Sequence, residues 1–220
     1  MRASNVRRSG VLILCALALA GCGGSAKHAA TTSAPPDPGD TLRQLVAGAP
    51  SPLELLTPES RDRVSASELG EGVAAFADDS PVESRRVGGS WAVAWTSGTH
   101  TAEGTTEFMA YAVALQQVGG RWLASIGGPV RLDPLGPDEG AEASAQPQVA
   151  VEIKADEPIV DTALLVDGTP LDTRGGGPSS DYISIYGAPA EPLEPGRHLA
   201  VAFARAGTSA AARAWWFTTR

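Results

Sequence analysis

An α+β domain of short helices packed on an antiparallel sheet, followed by an all-β sandwich, is the fold class this sequence predicts. Three observations lead there. Apolar spacing is helical from Asp40 to Phe76, drops to a period of two from Val82 to Ile126, and returns to that period in short runs from Val149 to Thr218. Capping residues and prolines punctuate the first stretch, and glycine pairs punctuate the second. An acidic, Gly/Pro-rich stretch from Asp133 to Pro147 then separates the second from the third.

Ahead of these elements lie Arg2, Arg7 and Arg8 and an apolar run from Val11 to Ala20. A helix needs about 18–20 apolar residues to cross the hydrocarbon core, so this shorter run is the apolar part of an export signal over residues 1–21. Ala18 and Ala20 have the spacing of an ordinary cleavage site, whereas Leu19-Ala20-Gly21 directly precedes Cys22. Residues 22–39 include GGSAKHAATTSAPPDPG, which has no apolar period and reads as a disordered tether. Its random-coil span is about 20–25 Å.

The first folded domain is expected over 40–132. Asp40 is a candidate N-cap for a helix through Ala47, and Ser51-Pro52-Leu53-Glu54 has capping-box spacing ahead of a second helix, Pro52–Leu56. Thr57-Pro58-Glu59 is another helix start. Ser65-Ala66-Ser67-Glu68 leads into Leu69, Val73 and Phe76 at helical spacing. Strands follow over Val82–Val87, Trp91–Ser97, Thr106–Val118 and Arg121–Ile126, with tight turns at Gly88-Gly89 and Gly119-Gly120. Residues 133–146 form the expected linker. The second domain, 147–220, carries candidate strands Val149–Lys154, Val160–Val166, Tyr182–Tyr186, His198–Ala204 and Ala212–Thr218. Asp167-Gly168 marks a turn, and Gly175-Gly176-Gly177-Pro178 reads as a loop.

Loss of residues 1–21 leaves 14 basic against 25 acidic residues, a formal charge of −11. Such a surface repels phosphates, which argues against nucleic acid as a partner, and it also keeps a protein soluble. Cys15 leaves with the signal, and Cys22 is the remaining thiol. If Cys22 is acylated, no disulfide can form, and stability rests on buried apolar surface. Lysine occurs only at Lys27 and Lys154, and alanine, glycine and proline abound; that bias resembles proteins of high-GC, actinobacterial genomes.

Catalytic signatures do not assemble. His28, His100 and His198 lack paired-ligand spacing, and no Gly-x-Ser-x-Gly elbow or phosphate loop occurs. Asp133 to Glu139 lacks the alternation of a calcium loop. The sequence therefore predicts neither an enzyme nor a metal or cofactor site. Strand alternation places Trp91, Val93 and Trp95 on one face, and Met109, Tyr111, Val113 and Leu115 on one face of the next strand. Trp91, Trp95 and Tyr111 are candidates to line an apolar ligand pocket; the competing reading is a core under the helices. Tyr111 is the ionisable residue inside these two strands, while His100, Glu103 and Glu107 lie in or beside their connection. Trp215 and Trp216 point to opposite faces, one to the core and the other to solvent or the linker.

Three resemblances add to this. Leu19-Ala20-Gly21-Cys22 resembles the lipobox of bacterial lipoproteins, which implies signal-peptidase recognition of Leu19, Ala20 and Gly21 and a diacylglycerol on Cys22. By that resemblance the chain is anchored at the outer face of the cell membrane. The helix-then-strand order, with Trp91–Gly98 followed by Thr105–Leu115, resembles the cone-shaped fold of ketosteroid isomerases and nuclear transport factor 2. The segment Leu193-Glu194-Pro195-Gly196-Arg197-His198, with Trp215-Trp216-Phe217 in a closing strand, is similar to bacterial immunoglobulin-like domains. The expected function is a lipid-anchored, non-enzymatic binding or scaffolding module with an envelope-protein or cell-wall partner. The alternative is a cone domain that uses the Trp91/Trp95/Tyr111 face for a small apolar ligand or for catalysis.

Overall fold

A computed structural model describes residues 35–220 apart from 68, 70–75, 77–79, 103–104 and 177–179. The expected signal over 1–21, the lipobox with Cys22, most of the tether, Glu68, Val73 and Glu103 lie outside the described residues, as do Gly177 and Pro178. Residues 35–220 form one compact unit.

The unit is mostly β. In chain order its strands are β1 (Val82–Gly88), β2 (Trp91–Ala102), β3 (Thr105–Val118), β4 (Arg121–Ser125), β5 (Arg131–Gly136), β6 (Glu142–Ala143), β7 (Val149–Lys154), β8 (Ile159–Val166), β9 (Thr169–Pro170), β10 (Arg174–Gly175), β11 (Tyr182–Gly187), β12 (Gly196–Ala206) and β13 (Ser209–Thr219). They form three sheets. Sheet 1 runs β1-β2-β3-β4, sheet 2 runs β6-β13-β12-β8-β9, and sheet 3 runs β10-β11-β7-β5. The longer strands fall where the period of two is sustained, because alternation can bury one face of a pleated ribbon.

The expected helix-rich α+β cone domain is not what forms. Helix α1 (Gly39–Val46) spans eight residues, followed by a single 3₁₀ turn, Pro52–Leu55, and the four-residue α2 (Pro58–Arg61). The helix-start signals do operate: Thr57 accepts a bond from the Ser60 amide, and Pro52 and Pro58 sit in first turns. Starting a helix is unfavourable until several turns follow, and a proline turns the residue before it away from helical geometry. Pro50, Pro52 and Pro58 come too close together for propagation. The capping of α1 also shifts: the Asp37 carboxylate, not Asp40, accepts from the Gly39 amide at 2.9 Å.

Three apolar layers stack through the unit. Leu42, Leu45, Leu56, Leu69 and Phe76 cover one face of sheet 1, against Ala92, Ala94, Val113 and Leu115. The other face of sheet 1 packs on sheet 2 through Trp91, Val93, Ala112 and Ala114 against Leu165, Val201, Phe203, Ala210 and Ala214. Sheet 2 then packs on sheet 3 through Ala200, Ala202, Ala204, Trp215 and Phe217 against Val149, Val151, Ile153, Ile183 and Ile185. Sheet 2 is thus buried on both faces. Its central strand β12 accordingly reads as an apolar run, LAVAFA, rather than as alternation with polar residues. Within the stretch expected as a linker, β5 pairs with β7, and β6 joins β13 in parallel.

Candidate functional site

Trp91 and Trp95 are 6% and 4% exposed and belong to the core between sheets 1 and 2. Register decides where Tyr111 stands relative to them. Trp91, Val93 and Trp95 sit opposite Gln116, Ala114 and Ala112, whereas Tyr111 sits opposite Thr96. Cross-strand partners share a face, so Tyr111 lies on the other side of sheet 1 from both tryptophans. It packs near Phe76, with ring centroids 6.3 Å apart, and burial pushes its phenol pKa up. The three residues do not line one pocket.

One of them nevertheless borders a cleft. Sheets 1 and 2 separate at one end of their interface, leaving about 240 Å³ lined by Glu83, Trp95, Ser97 and Phe108 from sheet 1. Arg197, His198 and Leu199 of β12 and Asp167 of the β8–β9 turn complete it. Asp167 and Gly168 form a two-residue hairpin with φ of 48° and 72°, the left-handed conformation that Asp-Gly supplies in tight turns. The turn aims the Asp167 carboxylate at β12. One oxygen accepts from the Leu199 amide at 2.8 Å, and the other meets His198 Nδ1 at 2.7 Å.

His198 is 8% exposed and its ring is fully used. Nε2 lies 2.8 Å from the Glu194 carbonyl and 3.0 Å from Thr219 Oγ1, whose own proton goes to that carbonyl. Both ring nitrogens are thus engaged within the fold, Nδ1 with a carboxylate and Nε2 with a carbonyl and a hydroxyl. This Asp–His pair resembles half of a catalytic triad in composition, with the ring buried and its Nε2 facing the Glu194 carbonyl. Its effect is to fasten the β8–β9 turn, the 188–195 connection and the C-terminal strand to the start of β12.

Arg197, next in sequence, points to the opposite face of sheet 2. Its guanidinium carbon lies 4.0 Å from the Phe108 ring centre and 4.9 Å from that of Trp216. The two rings meet edge-on at 5.6 Å, and Trp216 Nε1 donates to the Phe108 carbonyl at 3.0 Å. This clamp joins β3, β12 and β13. The same group also borders a shallower cleft of about 560 Å³ with Thr106, Glu107, Met109 and Glu139. Trp215, facing the other way, is fully buried and donates to the Pro137 carbonyl at 3.0 Å. Gly140 lies against Trp216, where an added Cβ would come within 3.3 Å of the indole, so the linker stretch does cover this tryptophan.

A second polar cluster sits on the outward face of sheet 3. Glu152 bonds the Lys154 ammonium and the Tyr182 hydroxyl, and Lys154 lies 5.6 Å from the Tyr182 ring centre. Lys154, then Tyr182, hold the Glu152 carboxyl below its ordinary range; Glu152 in turn raises both partners. Among the described residues, no group of three or more His, Cys, Asp or Glu side chains is placed to hold a metal ion.

Sequence reasoning located the Asp167-Gly168 turn and the Arg197-His198 strand entry, but not their meeting with Glu83, Trp95 and Phe108. Strand alternation could have flagged Phe108 and Arg197; nothing local says which strands pair. No protein-family model matches the chain, and no curated protein matches it.

Proposed function

We propose that this chain is an exported lipoprotein, held at the outer face of the cell membrane through Cys22, and that its folded unit is a non-enzymatic binding or scaffolding module. The observation that carries the reading is Leu19-Ala20-Gly21-Cys22 behind a short apolar run and a basic start. Two acyl chains on one cysteine give stable anchoring where one gives only transient binding, each buried CH₂ contributing about 0.8 kcal/mol. The actinobacterial reading rests on composition.

Strand order supports an immunoglobulin-like reading of sheets 2 and 3. Sheet 3 runs β5-β7-β11-β10 and sheet 2 runs β9-β8-β12-β13-β6. With β5 and β6 taken as two pieces of the first strand, this matches the ABED and C′CFG arrangement of such sandwiches. Sheet 1 covers the face of sheet 2 that points away from sheet 3, which leaves the outer face of sheet 3 and the cleft as contact regions. A partner in the envelope or cell wall fits this arrangement.

Membrane fractionation of Cys22→Ala tests the anchor. The wild-type chain sediments with membranes and the variant is released; a variant that still sediments contradicts the reading. Crosslinking of the anchored protein in its own cells then identifies the partner.

A further inference from the structure

Within the 240 Å³ cleft, the charged groups divide into two sets. Asp167 and His198 are bonded to one another and to the backbone. Glu83 on sheet 1 and Arg197 on sheet 2 make no hydrogen bond or ion pair with a described residue. We propose that these two groups bind a small zwitterion, an amino-acid-sized ligand with one apolar side chain, its carboxylate on Arg197 and its ammonium on Glu83. The proposal rests on the reading of the chain as a binding module and names a ligand class for it.

Three features favour this ligand. First, Arg197 is already ordered. The Phe108 and Trp216 rings hold its guanidinium and leave the N–H fork at its rim free for a carboxylate, which it matches with two parallel bonds. A side chain that is fixed before binding loses little freedom when the ligand arrives. Second, the opposite charges sit on different sheets, so the fold itself sets a cation and an anion on facing walls. A ligand with only a carboxylate meets Glu83 uncompensated, and one with only an ammonium meets Arg197 in the same way; such mismatch is how a site rejects near relatives. Third, Trp95, Phe108 and Leu199 supply apolar wall between the charges, and the Ser97 hydroxyl adds a polar group. The volume lies below the range of about 300–1,000 Å³ typical of clefts for drug-sized ligands, which points to an occupant the size of one residue.

Calorimetric titration of the full-length chain in detergent tests this with three probes: L-leucine, N-acetyl-L-leucine and L-leucinamide. L-leucine should bind saturably, and each single-charge analogue at least about tenfold more weakly. Arg197→Met keeps an apolar stem between the rings, and Glu83→Gln changes an exposed strand residue, so both variants should retain the wild-type circular dichroism spectrum. Each should weaken L-leucine by about tenfold or more. Glu83→Gln should also bind N-acetyl-L-leucine better than the wild type does, a gain that general damage to the fold cannot produce. No saturable binding of L-leucine overturns the proposal, as do analogues that bind equally well or variants that bind L-leucine unchanged. A chain that Cys22 carries to the membrane but that ignores L-leucine overturns this inference alone and leaves the anchoring reading in place.

Discussion

The two ends of the interface between sheets 1 and 2 are built on the same strands and differ in side-chain size. At one end, Ala114 of β3 and Ala210 of β13 are buried between the sheets, and Ser125 reaches the Ala210 carbonyl at 2.9 Å, while Ala110 and Ala212 beside them are half-buried and border a cleft of about 310 Å³. Toward the open end the same faces carry Phe108, Arg197 and Trp216, which wedge the sheets apart and leave a cleft with charged walls. Alternation alone makes a ribbon with two faces. The change from small to large residues along one face turns a dry contact into a polar opening.

Substitutions that break the dry end should have the largest effect. Phe203 is fully buried between the sheets, and Phe203→Ala should destabilise the unit by about 3–5 kcal/mol in denaturant unfolding. Ala114→Leu tests close approach from the opposite direction: a larger side chain at this fully buried position should cost about 1–3 kcal/mol by overpacking. At the open end the effects should be smaller. His198→Ala leaves the Glu194 carbonyl and the Asp167 carboxylate short of a donor and should cost about 1–2 kcal/mol. Arg197→Ala loses contact with two rings at an exposed site and should cost about 0.5–1 kcal/mol, while also abolishing any carboxylate binding in the cleft.

The smallest effect is pH-linked. Hydrogen bonds from Arg43 and the Gly39 amide hold the Asp37 carboxyl below its ordinary range. Its contribution is therefore present above the unfolded value and is lost as pH falls through the folded one. The side chain is about half exposed, so solvent screens much of this. Melting temperature should fall slightly less on acidification in Asp37→Asn than in the wild type. The affected tie is local: Asp37 also accepts from Ser84, and Trp122 Nε1 donates to the Pro36 carbonyl at 3.0 Å, where the chain enters the folded unit.

Much of the strand framework was legible because each long strand carries its own period. β1 to β4, β7, β8, β11, β12 and β13 lie within a few residues of where alternation places them. The helical layer was over-read, since a capping residue marks where a helix can begin and says little about how far it runs. β5 was hidden for the opposite reason. Its sequence RLDPLG reads as a turn, yet it pairs at the edge of sheet 3, where a proline without an N–H is tolerated. The aromatic face was half legible. Alternation grouped Trp91 with Trp95, but the facing of Tyr111 depended on cross-strand register, and a shift of one residue changes the side. The cleft depends on residues 83, 95, 108, 167 and 197, brought together by pairings and packing that no local window contains.

The central structural claim is that sheets 1 and 2 share a core, so that the two halves of the described chain form one folding unit. Thermal unfolding followed together by calorimetry, tryptophan fluorescence and far-ultraviolet circular dichroism tests it most directly. The account predicts one transition at the same temperature for all three probes, with equal calorimetric and van't Hoff enthalpies, and a shift of that whole transition in Phe203→Ala. Two separable transitions, of which Phe203→Ala moves only one, would contradict it.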